Sequence, residues 1–195
     1  LITSIRSIIR KVLDIFIMNR YGDLLCSSEL QFGFKAHSST NMCTMVLKET
    51  ISYYINNGSK LYCTMLDVSK AFDRVEYCKL FRLLMARKLP PVIIRFLLDM
   101  YTRHICSVSW NRSASYKFSV LNGVKQGGVL SPILFCVYFD NLLHSLASLN
   151  IGCFMGSCFV GALAYADDLV LLAPTPRAMR SLLSVCDTFG SEFNV

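Results

Sequence analysis

The sequence contains few charged residues and no long uninterrupted apolar run. Of its 195 residues, 17% are charged and 53% are hydrophobic. Disorder is excluded, because a disordered chain has low hydrophobicity and high net charge, and this chain can bury a sizeable core. A membrane span requires about 20 successive apolar residues, and charged residues interrupt the three most apolar stretches. We therefore expect one folded domain, or slightly more, without a membrane-spanning helix.

Histidine is scarce, and the cysteines show no paired spacing. The three histidines do not stand at zinc-ligand spacing from a cysteine or from one another, which argues against a zinc site. The nine cysteines include no CxxC pair. An odd number of irregularly spaced cysteines indicates reduced, buried thiols, so we expect a cytosolic or nuclear protein.

Acidic residues are scarce in the middle of the chain, and basic residues are scarce near its end. The net charge is +7, and residues 61–128 carry eleven lysines and arginines against four acids. Residues 129–195 carry two against five. This distribution suits a protein that holds phosphate groups on one surface and cations on another. A basic face that contacts only water would give the same count.

Apolar periodicity predicts two helices in the first sixty residues. Apolar residues recur every three to four positions up to Phe16, as they do on one face of an amphipathic helix. A loop follows around residues 31–39. Ser39 or Thr40 can then cap a second helix, which the Asn-Asn-Gly turn at 56–58 ends.

The rest of the sequence predicts strands that alternate with helices. The apolar run at residues 61–66 ends at Asp67 and suits a strand that is buried on both faces. Ser131 followed by Pro132 predicts the N-cap and first turn of an apolar helix. The other predicted elements are helices near 75–84, 92–101 and 176–190, and β-hairpins with arms at 106–110 and 116–120 and at 161–165 and 169–173. This order describes an α+β domain with a small, largely antiparallel sheet backed by helices.

Two adjacent carboxylates, Asp167 and Asp168, stand between the apolar arms of the second predicted hairpin. Like charges about 4 Å apart repel by roughly 1 kcal/mol in water and by more inside a protein, and a divalent cation removes this penalty. Aspartate is also a common turn residue, which is enough to account for an isolated pair. Asp67 adds a third carboxylate if its strand is a neighbour in the sheet. Such hard oxygen donors suit Mg²⁺ and phosphoryl transfer.

Four sequence blocks stand out along the chain. They are Gln-Phe-Gly-Phe-Lys at 31–35, Leu-Asp-Val-Ser-Lys-Ala-Phe-Asp at 66–73, Gly-Val-Lys-Gln-Gly-Gly-Val-Leu-Ser-Pro at 123–132 and Tyr-Ala-Asp-Asp at 165–168. In this order and spacing, the blocks resemble the reverse transcriptase domain of non-LTR (LINE-like) retrotransposons. The resemblance covers nearly the whole chain.

The resemblance implies a polymerase palm and an activity. Residues 1–60 are then a partial fingers-like helical segment, and residues 61–195 are a palm that stops before the thumb. The implied activity is that of an RNA-directed DNA polymerase, which transfers nucleotides from dNTPs to a primer 3′-end on an RNA template with two Mg²⁺ ions. An inactive, truncated transposon remnant that at most binds nucleic acid is the alternative.

The resemblance also implies partners. They are an RNA template, a DNA primer, a dNTP, and the missing fingers, thumb and endonuclease domains of a larger polyprotein, whereas no membrane partner is expected. We expect the protein to act in an intracellular ribonucleoprotein, in the nucleus or cytoplasm.

Single residues receive roles from the same resemblance. Asp67 and Asp167 match the carboxylates that hold both Mg²⁺ ions, and Asp168 matches their less directly engaged neighbour. Phe72 matches an aromatic residue beneath the sugar that disfavours a 2′-hydroxyl. By residue type alone, Phe72 is an ordinary core residue and the acids are turn formers.

Further matches concern the nucleic acid and the nucleotide. Gln126 and Gly127 match the loop beside the incoming base and template, and Tyr165 matches a residue near the primer end. Lys35 stands where relatives usually carry arginine, so it can contact phosphate but without a bidentate fork. By residue type alone, Gln126 and Gly127 form a plain turn. Tyr165 is then a packing residue, and Lys35 is a solvated cation.

Overall fold

The computed structural model describes residues 8–103, 105–111, 113–125 and 127–194 of the chain. The helices are α1 (Ile8–Tyr21), α2 (Thr40–Asn56), α3 (Ala71–Arg74), α4 (Tyr77–Ala86), α5 (Pro91–Thr102), α6 (Ser131–Ser148) and α7 (Pro176–Phe193). The strands are β1 (Tyr62–Asp67), β2 (Ile105–Cys106), β3 (Ser109–Trp110), β4 (Ser113–Ala114), β5 (Phe118–Ser119), β6 (Phe154–Met155), β7 (Cys158–Phe159), β8 (Ala162–Tyr165) and β9 (Asp168–Ala173). A 3-10 helix spans Gly22–Leu25. The predicted α+β class, with small antiparallel sheets, is confirmed. Within the described ranges, none of the helices is both long and apolar enough for a bilayer.

The chain divides into two compact units, each built from segments that are distant in sequence. Unit 1 comprises Leu1–Cys26 and Phe72–Tyr138, and unit 2 comprises Ser27–Ala71 and Phe139–Val195. The predicted boundary between fingers and palm at residue 60 separates functional regions and not compact units. It therefore stays a prediction.

Unit 2 contains a three-stranded antiparallel sheet with the strand order β1-β9-β8. Strands β1 and β9 pair over their whole length, from Tyr62 opposite Ala173 to Asp67 opposite Asp168. Because side chains alternate along a strand, the sheet has two distinct faces. We call them the Leu169 face, which includes Leu171, and the Asp168 face, which includes Leu172.

Helix α7 packs against β9 on the Leu169 face. Its buried Met179 accepts a hydrogen bond from the Thr64 hydroxyl of β1, with Oγ1 and Sδ 3.3 Å apart. The helix begins where the sequence predicts, because the Thr175 hydroxyl caps it by accepting from the backbone N–H of Ala178 at 3.1 Å. Leu169 and Leu171 are accordingly 2% and 0% exposed.

The Asp168 face is covered at one end and open at the other. Leu163 of β8 and Leu172 of β9 are buried in a cluster that also receives apolar side chains from α2 and from the β6–β7 hairpin. Towards Asp67 the face opens, and Met65 of β1 is 73% exposed. The prediction that the first strand is buried on both faces is wrong, since Cys63, Met65 and Asp67, which share the Asp168 face, are all exposed.

Unit 1 has a core of leucine and aromatic side chains from α4 and α5. Leu80, Leu84 and Leu97 are fully buried, and the rings of Tyr77 and Tyr101 meet edge to face with their centroids 5.6 Å apart. Burial also raises the pKa of the Tyr77 phenol to about 12, so it stays protonated at neutral pH.

The first predicted hairpin forms only as two short ladders. Strand β2 pairs with β5, and β3 pairs with β4, over two residues each. Trp110 and Tyr116 are 82% and 97% exposed. The ladder stays short because its apolar side chains have no layer of described residues to pack against, and burial rather than strand propensity stabilises a hairpin.

The predicted helix caps have different outcomes. Ser39 caps α2 as predicted, because its hydroxyl accepts from the backbone N–H of Met42 at 3.3 Å. Ser131 is not a cap, so that prediction is wrong. Helix α6 already begins at Ser131, and its buried hydroxyl has no hydrogen-bond partner among the described residues.

Candidate active site

Three predicted site residues form a row across the sheet of unit 2. Asp67 ends β1 directly opposite Asp168, the first residue of β9, and Asp168 in turn stands opposite Tyr165, the last residue of β8. Directly opposed residues of antiparallel strands project from the same face. Asp167 belongs to the two-residue turn, Ala166-Asp167, that joins β8 to β9. The sheet therefore brings together carboxylates that lie about a hundred positions apart in sequence.

The charges of these carboxylates are not balanced within the described protein. Asp67 and Asp168 are exposed and Asp167 is half-buried, and none of the three makes a side-chain hydrogen bond or ion pair with a described residue. Two unit charges 4 Å apart repel by about 1 kcal/mol in water and about 4 kcal/mol at an effective dielectric constant of 20. Such a cluster is stabilised by a cation.

The donor chemistry fits a divalent metal ion, but the ligand set is not preassembled. No group of three or more histidine, cysteine, aspartate or glutamate side chains is arranged as a metal site within the described ranges. Aspartate oxygens are nevertheless the hard donors that Mg²⁺ prefers. The paired strands fix the backbone positions of Asp67 and Asp168. Their exposed side chains can still change rotamer within nanoseconds, so the carboxylate oxygens can reorient towards a metal ion.

The turn between β8 and β9 is held by a buried glutamine that the sequence analysis did not single out. Gln31 is 1% exposed, and its Oε1 accepts from the backbone N–H of Ala166 at 2.9 Å and of Gly33 at 2.8 Å. Its Nε2 donates to the Ala166 carbonyl at 3.0 Å. The position of Gln31 at the start of the Gln-Phe-Gly-Phe-Lys block, beside apolar residues and a glycine, was the signal that could have identified it.

Lys35 lies in the same unit and is tied to its own loop. Its ammonium donates to the Ser28 carbonyl at 2.6 Å. The backbone N–H of Ser28 donates in turn to the buried carboxylate of Asp140, also at 2.6 Å. Because an ammonium has three donors, two remain for other acceptors, and the phosphate contact predicted for Lys35 stays a prediction.

The other predicted site residues belong to unit 1. Phe72 is half-buried, and its ring stacks on that of Phe135 with centroids 4.9 Å apart and an interplanar angle of 20°. Gly127 is exposed and has a φ of +75°, a left-handed value that glycine adopts without strain. Gln126 lies outside the described residues. The residue roles that the resemblance implies for all three stay predictions.

The expectation of buried thiols is wrong for four cysteines, since Cys26, Cys63, Cys78 and Cys158 are exposed. All nine are free thiols. Burial raises the pKa of Cys153 and of Cys186 to about 11, so both are protonated at neutral pH and suit packing rather than catalysis.

Comparison with known proteins gives consistent matches. The family described as reverse transcriptase (RNA-dependent DNA polymerase) matches residues 2–195. The chain is 30% identical over 180 residues to the Pol polyprotein of the type-2 retrotransposable element R2DM of Drosophila melanogaster. It is 32% identical over 181 residues to the Pol polyprotein of the type-1 retrotransposable element R2 of Nasonia vitripennis. These alignments cover 92% and 93% of the chain but only 17% and 18% of the two relatives.

Solved structures give the same fold. A telomerase from Candida tropicalis in complex with a fragment of telomeric RNA superposes with a TM-score of 0.62 at 14% identity, over 91% of this chain and 30% of that one. A telomerase from Candida albicans, also in complex with a telomeric RNA fragment, superposes with a TM-score of 0.60 at 14% identity, over 91% and 32%. At this level of identity, the similarity concerns the fold.

Proposed function

We propose, from the premise that this chain belongs to the reverse transcriptase (RNA-dependent DNA polymerase) family, that it forms the catalytic palm of an RNA-directed DNA polymerase. The register that places Asp67 opposite Asp168, with Asp167 in the adjoining turn, is the observation that supports the proposal most strongly. The reaction is the transfer of a dNMP unit from a dNTP to the 3′-hydroxyl of a DNA primer paired with an RNA template.

The family generally uses divalent metal ions, and we assign their ligands to Asp67, Asp167 and Asp168. Asp67 and Asp167 would hold two Mg²⁺ ions, with Asp168 beside them. When bound, the ions supply a lowered pKa at the attacking hydroxyl and charge stabilisation at the leaving oxygen. The protein contributes by fixing the backbone positions of the carboxylates at the open end of the sheet, and the side chains would take up their ligand rotamers when the metal ions bind, before the chemical step.

The remaining residues bind and select the substrates in this proposal. Lys35 provides an ammonium for phosphate, and Tyr165, which stands next to Asp168 in the row, supports the primer end. From the resemblance, we assign to Gln126 and Gly127 a role beside the incoming base and the template. The partners are an RNA template, a primer and the other domains of a longer polyprotein, within an intracellular ribonucleoprotein.

The test is primer extension by the full-length gene product. We expect Mg²⁺-dependent incorporation of dNTPs into a DNA primer annealed to RNA, and no incorporation when Mg²⁺ is chelated. The alternative is an inactive remnant that binds nucleic acid by charge alone. Binding that weakens steeply with salt, without any extension, would favour the remnant.

Phe72 offers a test of sugar selection. We expect Phe72→Ala to lower the preference for dNTPs over rNTPs, measured as the ratio of kcat/KM values, by about 10- to 100-fold, the range that one steric contact in a pocket supplies. Phe81→Ala is the matched control, since Phe81 is a buried aromatic residue of the same unit that contacts Tyr101. An equal change in the ratio for both variants would contradict a specific role for Phe72.

A further inference from the structure

We propose that Gln31 is a positioning residue, which sets the conformation of the Ala166-Asp167 turn and thereby the directions in which Asp167 and Asp168 present their carboxylates. The inference rests on the proposed function, because it concerns the same acids. It adds a buried residue, Gln31, which acts through its hydrogen bonds to the backbone of the turn.

The Gln31 carboxamide binds the turn as another strand would. It accepts from the N–H of Ala166 and donates to the C=O of the same residue, so both backbone polar groups of Ala166 are paired to one side chain. The third bond, from the N–H of Gly33, fixes the orientation of the carboxamide. Since Gln31 is buried, water does not compete for these bonds.

The backbone around Gln31 is itself docked on β8. Gln31 forms a parallel bridge with Ala164. The N–H of Phe32 donates to the Ala164 carbonyl at 2.8 Å, and the N–H of Ala164 donates to the Leu30 carbonyl at 2.8 Å. The backbone of residues 30–32 thus pairs with Ala164, and the Gln31 carboxamide pairs with Ala166, the first residue of the turn.

The turn requires such support because its own sequence does not favour its geometry. Ala166 has a φ of +57°, in the left-handed region that favours glycine, and a two-residue hairpin turn usually relies on glycine or asparagine there. An alanine without outside hydrogen bonds would relax towards a more common conformation. Asp167 is the next residue, so rotation of the Ala166 peptide would move its carboxylate.

Gly33 completes the arrangement by allowing close approach. A Cβ atom at this position would lie 2.3 Å from the backbone nitrogen of Ala166 and 3.0 Å from its Cα. The backbone of Gly33 and that of Ala166 thus lie too close together for a side chain at residue 33. Gly33→Ala must push the turn away even though the Gln31 carboxamide is retained, whereas Gln31→Met removes the three bonds at similar side-chain volume.

These two variants test the proposal by different physical routes. In the full-length gene product, we expect each to lower kcat for primer extension by about tenfold to a hundredfold, the effect of displacing a catalytic group by about 1 Å. Each should also raise the Mg²⁺ concentration for half-maximal rate, without changing the Kd for primer–template. Amide hydrogen exchange in a segment that contains Ala166 should accelerate without metal.

Thr50→Val is the matched control. Thr50 is a fully buried polar residue of the same unit, and its hydroxyl donates within α2 to the Val46 carbonyl at 2.8 Å. We expect it to lower the Tm while leaving the Mg²⁺ requirement and the exchange of the turn unchanged. If Gln31→Met and Gly33→Ala lower only the Tm, as Thr50→Val does, the positioning role is wrong.

The two proposals fail in distinguishable ways. A wild-type protein that extends primers, together with both variants at the wild-type rate and Mg²⁺ requirement, would overturn the role of Gln31 and leave the polymerase assignment standing. A wild-type protein without extension would overturn the polymerase assignment. Hydrogen exchange at the turn still decides whether Gln31 and Gly33 hold it.

Discussion

Replacing Asp67 by asparagine should lower the rate of RNA-templated primer extension about a thousandfold. The substitution keeps the shape of the side chain and removes its charge, so it withdraws a carboxylate from metal coordination and from stabilisation of the developing charge, for which losses of about 10²–10³ are typical. Because Asp67 is exposed at the end of β1 and makes no side-chain bond to a described residue, the fold should tolerate the change within about 0.5 kcal/mol. The measurement is the single-turnover rate at saturating dNTP.

Asp187→Asn provides the matched control for this prediction. Asp187 is an exposed aspartate on α7, outside the row of carboxylates. It should leave the extension rate unchanged. A reduction of less than about tenfold for Asp67→Asn, or an equal reduction for both variants, would show that residue 67 does not hold the metal.

Phe135→Ala should cost about 3–5 kcal/mol of stability, the usual penalty for deleting a buried aromatic ring. Phe135 is fully buried in unit 1, and its ring stacks on that of Phe72. The substitution removes this stacking and leaves a cavity that the surrounding residues fill only in part. Native-state hydrogen exchange of α6 amides measures the loss of local unfolding free energy.

Phe135→Leu is the companion variant, and it should cost clearly less because most of the volume is retained. A loss below about 1 kcal/mol for Phe135→Ala would mean that unit 1 rearranges to fill the space. In that case the Phe72 ring would not depend on Phe135 for its position.

Much of the fold follows from local sequence signals. The cap at Ser39 and the start of α7 at Pro176 were readable because each satisfies or removes a backbone donor at a helix end. The short elements were not readable. Helix α3 has four residues and the β6–β7 hairpin has two-residue arms, so neither presents a full period of apolar residues.

The exposure of β1 shows a different limit of sequence reasoning. A continuous apolar run predicts burial on both faces, yet Met65 faces outward. Hydrophobicity indicates that a residue gains free energy when it is buried. Whether a neighbour covers the residue depends on the order of the strands in the sheet. That order depends on pairing with β9, about a hundred residues later.

The sequence was sufficient to predict the acidic residues of the candidate site. It was not sufficient to predict the residue that holds the turn beside them. Asp67, Asp167 and Asp168 could be identified because unbalanced carboxylates between apolar strands are costly without a cation. Gln31 could not be assigned its role, since its partner Ala166 stands 135 positions away. A side chain that hydrogen-bonds to backbone carries no sequence record of which residue it binds.

The long separation between Asp67 and Asp168 has a consequence for how the chain matures. Strand β1 leaves the ribosome long before β9, which is the central strand of the sheet. The backbone of β1 therefore has no strand partner until β9 has been synthesised. Pairing at such distance also incurs a loop-closure cost. The three acids consequently come together only late in synthesis, and a nascent chain that stalls before Asp167 carries Asp67 without the two carboxylates that would complete the proposed site.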